Sequence, residues 1–268
     1  MKSARFLYLA AVSALVFTFG ANTFAQSKPG YATVVRISGE ARYSADDAKT
    51  WQPLVVGMTL GAGNVIETAG NGTVDLVLGQ KLLVHSVQNP SVIAPAADSP
   101  VTGMASFKSA AEQNVIHMDT DTVLAIDTLT IGDTGVDAVS DTELDLRQGT
   151  IFGTVKKLSA TSQYLIKMPN GIAGVRGTTF AISANGDITV ISGSMVVSHT
   201  NAAGQVTTTV LGPGEELNPR TGEVRQLTPV ELTRVENRAV FIITLDYGFI
   251  RFAHDRTILY ISPTTGHF

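Results

Sequence analysis

Acidic side chains are concentrated between residues 117 and 146, a stretch that contains no lysine or arginine. Carboxylate oxygens are ligands that Ca²⁺ prefers, so Asp119, Asp121, Asp133 and Asp137 are the candidate ligands of a calcium site. Their spacing is not that of an EF-hand loop, and aspartates in turns also bond their own backbone. We therefore expect solvated carboxylates here, with no metal or other cofactor. A calcium-dependent surface adhesin or structural module remains an alternative function.

The histidines and carboxylates form no recognisable catalytic motif. The chain has 5 histidines, and none lies in a Gly-x-Ser-x-Gly or His-Glu-x-x-His setting. Paired carboxylates can cleave a polysaccharide, but an aromatic platform for the sugar is expected beside them. Trp51 is the single tryptophan, and we expect it to fill the hydrophobic core. The chain is therefore predicted not to be an enzyme, with a hydrolase of cell-wall polymers as a second alternative.

The strands that would position these residues are separated by glycines along most of the chain. Residues 31–84 and 144–218 read as short strands every 8–12 residues, with glycine between them. The segment at about 85–143, first rich in proline, alanine and serine and then acidic, is assigned to an insertion. We predict an all-β fold over residues 26–225. Its architecture is expected to be a two-layer β-roll or solenoid-like sandwich of short strands.

A short internal sequence repeat supports a stacked arrangement of strand pairs. The tripeptide ending at Gly39 has the same sequence, Ile-Ser-Gly, as the one ending at Gly193, and Gly149 marks a third candidate copy. Each copy would be one strand pair that buries its apolar face by stacking on the next pair.

The carboxy-terminal segment, residues 226–268, has a helical period at its start. Thr228 and Glu231 have the spacing of a capping box, with Pro229 at the first helical position. Apolar residues then recur at helical intervals. A carboxy-terminal helix followed by two strands is predicted.

The first residues predict export. Lys2 and Arg5 precede an apolar stretch, and small residues ending at Ala25 predict a signal peptide at 1–25. The apolar stretch is shorter than the ~20 residues that cross a bilayer, so no membrane span is expected after cleavage. A periplasmic, secreted or cell-surface location follows from this prediction.

Charge and cysteine content narrow the partners and the source of stability. Removal of the signal peptide moves the formal net charge from -4 to -6, which argues against nucleic acid or anionic lipid as a partner. The chain has no cysteine, so its exported form must be stabilised by its core without disulfides.

One stretch, residues 164–180, resembles the core of the FecR family of exported β domains. It contains Ala-Gly-Val-Arg-Gly-Thr-Thr-Phe, which is similar to that family's "A-x-V-R-G-T-x-F" pattern. A weaker likeness extends the resemblance to about 31–84 and 144–225. The residues that carry the central motif are Asn170, Gly171, Gly174, Val175, Arg176, Gly177 and Thr178.

The resemblance implies a β domain outside the cytoplasm that binds a protein or a polysaccharide of the cell envelope. The family's best-known members hold a sigma factor through a cytoplasmic segment, whereas a signal peptide is predicted here, so direct control of a sigma factor is not expected. We predict a non-catalytic exported binding protein, with a role in signalling left open.

Arg176 is the charged residue of this motif. Its neighbours are apolar or small, so we expect its guanidinium to be buried and to bond the carbonyls of nearby turns. A carboxylate or phosphate of a ligand is the alternative partner.

Overall fold

The structure is a computed structural model, and it describes most of the predicted β region. The residues described are 27–79, 104–107, 114–133, 138–200, 204–218, 221–246, 250–254 and 257–263. The signal peptide predicted at 1–25 lies outside these residues and stays a prediction.

Short strands make up most of the described residues, and a helix follows them towards the carboxyl terminus. The strands of the first half are β1 (Lys28–Pro29), β2 (Tyr31–Ser38), β3 (Ala41–Ser44), β4 (Gln52–Pro53), β5 (Thr59–Leu60), β6 (Val65–Thr68), β7 (Thr73–Gly79), β8 (Met104–Phe107), β9 (Asn114–Met118), β10 (Val123–Asp133) and β11 (Ala138–Gln148). The elements of the second half are β12 (Thr150–Val155), β13 (Gln163–Met168), β14 (Gly171–Ser183), β15 (Ile188–Thr200), β16 (Val206–Leu211), β17 (Glu215–Asn218), β18 (Glu223–Gln226), α1 (Pro229–Asp246), β19 (Ile250–His254) and β20 (Thr257–Pro263).

Strand pairing divides the main sheet into two layers that share two long strands. The first layer runs in the order β5, β2, β7, β9 and β12, and continues through β14, β15, β17 and β18. The second layer runs in the order β4, β3, β6, β10, β11 and β13, and continues through β14, β15 and β16. Within these layers every described pairing except β11 with β13 is antiparallel. The predicted all-β fold with a two-layer roll is confirmed.

The inner faces of both layers form one hydrophobic core. Strand β13 shows the expected alternation, because Tyr164, Ile166 and Met168 are buried while the residues between them are partly exposed. Leu and Phe side chains that are fully buried contribute about 1.5–3 kcal/mol each to folding. Burial of this kind stabilises the chain without disulfides.

Glycine corners carry the chain from one layer to the other. Gly39 follows β2, Gly149 precedes β12 and Gly193 lies within β15, and each has a positive φ angle. The two Ile-Ser-Gly copies therefore occupy equivalent corners. Five antiparallel pairings separate β2 from β15, so the two strands run in opposite directions. The two corners therefore lie at opposite ends of the strand direction.

Helix α1 packs on the outer face of the first layer, near β9 and β12. The predicted capping box is present, since the Thr228 backbone N–H donates to Glu231 Oε2 at 2.9 Å and the Glu231 N–H donates to Thr228 Oγ1 at 3.4 Å. Ala239, a residue of this helix, is fully buried. The predicted carboxy-terminal helix and the two strands after it, β19 and β20, are confirmed.

The assignment of the whole segment 85–143 to an insertion is corrected by the strand pairing. Strand β9 lies between β7 and β12 in the first layer, and β10 lies between β6 and β11 in the second. The acidic charge of these strands favours an insertion outside the β-roll. Their inner faces nevertheless carry core residues such as Ile116, Leu124 and Leu144. Strand β8 belongs instead to a small sheet with β19 and β20.

Candidate binding site

A groove lies at the amino-terminal end of the roll, where β3, β4 and β6 meet. Its volume is about 580 Å³. Its apolar lining comes from Ile37, Ala41, Trp51, Pro53 and Leu54, and its polar lining comes from Glu40, Arg42, Gln52 and Glu67. The groove therefore combines an aromatic ring with hydrogen-bonding groups of both polarities.

The turn between β3 and β4 positions the tryptophan. Asp46 Oδ1 accepts hydrogen bonds from Ser44 Oγ at 2.6 Å and from the Thr50 backbone N–H at 2.8 Å. These bonds, that from Ser44 first, hold the pKa of Asp46 well below its usual range. Asp47 and Ala48 at the tip of the turn have φ angles of 55° and 64°. Trp51 follows directly and precedes Gln52, which pairs with Tyr43.

Trp51 is half-buried and lines the groove, so the expectation that it fills the core is wrong. The Arg42 guanidinium carbon lies 4.5 Å from the centroid of the Trp51 ring, within the range of a cation–π contact. Arg42 Nε also donates to Glu67 Oε2 at 2.7 Å, and this hydrogen bond raises the pKa of Arg42 above its usual range. The ring and the guanidinium are thus held in place by strands that pair directly.

The groove offers groups that recognise neighbouring hydroxyls. Arg42 and Glu67 present planar donor and acceptor atoms, and Gln52 adds an amide whose oxygen accepts from Tyr43 Oη at 2.9 Å. Planar groups of this kind form paired hydrogen bonds with high directional specificity. An indole ring beside them supplies apolar area and a polar N–H. These residues define the candidate binding site.

Arg42 and Glu67 carry no local sequence signal that marks them as site residues. They are 25 positions apart in the sequence and meet only because β3 pairs with β6. A usable signal was present in the polar turn before Trp51, since a turn that ends directly at a tryptophan places it at a strand end, where solvent is near.

A buried charged cluster lies on the outer face of the first layer. Asp75 on β7 has 1% of its side chain exposed and accepts from Arg36 Nε on β2 at 2.5 Å. Its other oxygen lies 2.6 Å from His117 Nδ1 on β9. Burial lowers the pKa of Arg36, and Asp75 opposes that change. The cluster links three neighbouring strands, which is a structural role.

The Arg-Gly-Thr motif forms a β-bulge where β14 passes from one layer to the other. The register with β15 shifts between Arg176 and Thr179. Gly177 has a φ of 65°, and both Val175 and Thr178 point inward as a result. Thr178 Oγ1 donates to the Ser194 carbonyl at 2.5 Å, closing the bulge against β15. The motif is therefore a corner of the roll.

Arg176 itself is exposed, so the expectation that its guanidinium is buried is wrong. Its apolar neighbours predicted burial, but Val175 points inward in the regular alternation of β14, which places Arg176 on the outer face. Its Nη2 donates to the Leu158 carbonyl at 3.3 Å, which is the kind of acceptor that was predicted.

The other residues of the motif shape the turn and the strand before this bulge. Asn170 precedes β14 and its carbonyl accepts from the Thr200 N–H at 2.9 Å. A Cβ on Gly171 would lie 2.5 Å from the Ser198 carbonyl oxygen. Gly174 pairs with Val196 on β15. The motif and the Trp51 groove are separate features of the chain.

The four aspartates proposed for calcium do not form one site. Asp121 lies at the corner before β10, and Asp133 lies at the far end of that strand. The 11 residues of β10 separate them by about 30 Å at ~3.3 Å per residue. Asp119 Oδ2 accepts from Arg238 Nη2 at 2.5 Å, and Asp137 lies outside the described residues. Among the described residues, no group of three or more histidines and acids could hold a metal ion.

The fold is a two-layer β-roll with a groove at its amino-terminal end. Residues 101–195 match the family described as FecR protein, which confirms the resemblance drawn from the Arg-Gly-Thr core. The match begins within the segment 85–143 and ends two residues after Gly193. It does not include the residues of the Trp51 groove.

Solved structures were also compared with the chain. Two crystal structures, at 2.50 and 1.65 Å resolution, are of a protein from Parabacteroides distasonis described as a "putative anti-sigma factor". They are 13% and 16% identical to this chain, with TM-scores of 0.32 and 0.31. Each comparison covers 56% of this chain and 91% of the other. No curated protein matches the chain.

Within the described residues, no helix has the length and hydrophobicity needed to span a membrane.

Proposed function

We propose that this chain is an exported, non-catalytic binding protein of the cell envelope, and that the Trp51 groove binds a neutral glycan there. The observation that carries the proposal is the half-buried Trp51 ring beside the hydrogen-bonded pair of Arg42 and Glu67. Export rests on the signal peptide predicted at 1–25, and a mature protein beginning at Gln26 in a mass spectrum would support it.

The geometry of the groove fits a sugar. A sugar ring has an apolar face that packs on an indole and hydroxyls that need both donors and acceptors. Trp51 supplies the ring, while Arg42 donates and Glu67 and Gln52 accept. The volume of about 580 Å³ lies within the ~300–1,000 Å³ of small-ligand sites.

The charge of the groove favours a neutral ligand. Glu40 and Glu67 offset the single positive charge of Arg42. The whole chain has a formal charge of -4, which disfavours approach by anionic polymers. Neutral sugar units avoid this repulsion and use the hydrogen-bonding groups directly.

A second candidate is binding of a protein partner in envelope signalling. The match to the FecR family over residues 101–195 favours it, because resemblance to this family implies recognition of other proteins outside the cytoplasm. This function does not require the Trp51 groove, which lies outside the matched residues.

Binding assays with defined glycans test the first candidate. The probes are soluble neutral glycans, assayed by affinity electrophoresis, with purified peptidoglycan sacculi, whose peptide stems carry carboxylates, as the anionic comparison assayed by co-sedimentation. We expect Trp51→Ala to weaken binding about tenfold or more, since loss of one stacked ring removes on the order of 1.5 kcal/mol. Trp51→Phe should retain part of the binding.

Controls separate loss of the site from loss of the fold. Lys167→Ala changes an exposed cation on β13, away from the groove, and should bind as the wild type does. Melting temperatures of all variants establish that they are folded. Equal binding by wild type and Trp51→Ala would exclude the groove, and release of new reducing ends during incubation would exclude the non-catalytic role.

A further inference from the structure

Strand β16 is an unusually open edge of the second layer. It pairs with β15 along its whole length, from Val206 with Thr200 to Leu211 with Met195. In the part of the chain that the structure describes, no strand pairs with its other side. Val206 and Val210 have exposed fractions of 73% and 65%. The open backbone edge of β16 and the apolar side chains of Val206 and Val210 are thus exposed on the same strand.

The composition of β16 does not protect this edge. Its sequence, Val-Thr-Thr-Thr-Val-Leu, contains neither proline nor a charged residue. Two other edge strands are blunted, since β4 contains Pro53 and has two residues, while β18 carries Glu223 and Arg225. Natural proteins block exposed edges with such features because an open strand pairs readily with another chain.

The sequence of β16 is symmetric about Thr208. Two antiparallel copies related by a two-fold axis at this residue would pair Thr208 with Thr208 and Thr207 with Thr209. Val206 of each copy would face Val210 of the other. In antiparallel strands, directly opposed residues lie on the same face, so apolar groups would meet apolar groups and hydroxyls would meet hydroxyls.

We propose that β16 pairs with β16 of a second copy of this chain, which continues the second layer across a two-fold axis. Val196, with 47% of its surface exposed, pairs with Val210 on the neighbouring strand and extends the apolar row on each side of the axis. The pairing is self-complementary, which is what an isologous interface requires. It also gives hydrogen-bonding partners to the free backbone edge.

Disulfide trapping tests the register, because the chain contains no other cysteine. Thr208→Cys places two thiols on directly opposed residues, whose Cα atoms lie ~4.5–5.5 Å apart and within disulfide range. Ser198→Cys is the matched control, since Ser198 pairs with Thr208 on the same face. Its two copies would be three strand spacings apart, about 14 Å, and beyond reach. Efficient crosslinking of the first variant alone is the expected result.

Charge substitutions test the same contact in solution by analytical ultracentrifugation. We expect Val206→Lys and Val210→Glu, taken singly, to weaken dimerisation about tenfold, because each places a charge against an apolar residue. The double variant should recover much of the affinity, since opposite charges then face each other across the axis. Val230→Lys alters an equally exposed valine on α1 and should dimerise as the wild type does.

Several outcomes would overturn the inference. A wild type that stays monomeric at all concentrations would do so, as would a dimer that the substitutions in β16 leave unchanged. Crosslinking of Ser198→Cys as efficiently as Thr208→Cys would also contradict the two-fold register. Melting temperatures of the variants distinguish these outcomes from unfolding.

Discussion

The carboxylate of Asp75 lies between Arg36 and His117, with 2.6 Å separating Asp75 Oδ1 from His117 Nδ1. The three residues belong to neighbouring strands of the first layer, where Asp75 pairs with Arg36 on one side and with His117 on the other. Because Asp75 is almost fully buried, its interactions there are stronger than in water. Replacing it alone leaves the opposing groups without their shared acceptor.

Asp75→Ala is therefore expected to lower the free energy of unfolding by about 3 kcal/mol, since it removes the buried carboxylate that Arg36 and His117 share. Urea unfolding followed by circular dichroism measures this change. Asp127→Ala is the control, because Asp127 forms an exposed ion pair with Lys167 at 3.1 Å and should change stability by less than about 1 kcal/mol. Similar effects of the two substitutions would contradict the role given to the buried cluster.

Gly193→Ala is expected to destabilise the corner of β15. A Cβ there would lie 2.1 Å from the Gly177 carbonyl oxygen, and the φ of 85° is unfavourable for other residues. We expect a loss of about 3 kcal/mol or more, measured by thermal or urea unfolding. Gly212→Ala is a matched control, since the nearest atom to its Cβ is Glu215 Oε2 at 3.5 Å. A variant at position 193 as stable as the control would show that the two strands do not cross this closely.

Ala48→Gly is expected to stabilise the protein. Ala48 has a φ of 64°, a conformation that costs an L-residue about 1 kcal/mol relative to glycine. Removing the Cβ should raise the free energy of unfolding by up to that amount, after the greater entropy of glycine in the unfolded chain is deducted. Ala45→Gly, in the same turn but without positive φ, should lower stability instead. Stabilisation by both substitutions, or by neither, would contradict the turn geometry.

The capping box of α1 gives a pH dependence. Hydrogen bonds from Thr228, and the pairing with Arg225, lower the pKa of Glu231 from 4.5 to about 2. A depressed pKa means that the stabilisation is complete above pH 4.5 and is lost as the pH falls towards 2. Melting temperatures of wild type and Glu231→Gln should therefore differ at pH 6 and converge near pH 2. A difference that stays constant over this range would exclude ionisation of Glu231 as its source.

The elements that depend on local sequence could be predicted. The capping box at Thr228 and the strand-turn pattern follow from residues a few positions apart, and the structure contains both. The solvent exposure of a side chain is harder to predict from the sequence, because it depends on strands that are distant in sequence. Burial of Arg176 is predicted from its apolar neighbours, but Arg176 follows the inward-facing Val175 and therefore points outward. The bulge at Gly177 then returns Thr178 to the inner face.

The groove was missed for the same physical reason. Trp51 is the kind of residue that normally enters a core, and its position at the open end of the roll is decided by β3 pairing with β4 and β6. The pairing of Arg42 with Glu67 depends on this register. A single sequence does not specify which strands lie at the ends of a stack.

The two ends of the second layer differ, and this limits how the molecule can assemble. The amino-terminal end closes with Pro53, which lacks the N–H that another strand would need, whereas β16 leaves the opposite end available. Head-to-tail growth needs one receptive surface at each end, so filaments of this layer are disfavoured. Pairing of β16 with β16 of a second copy uses the open edge of each subunit, so this assembly stops at two subunits.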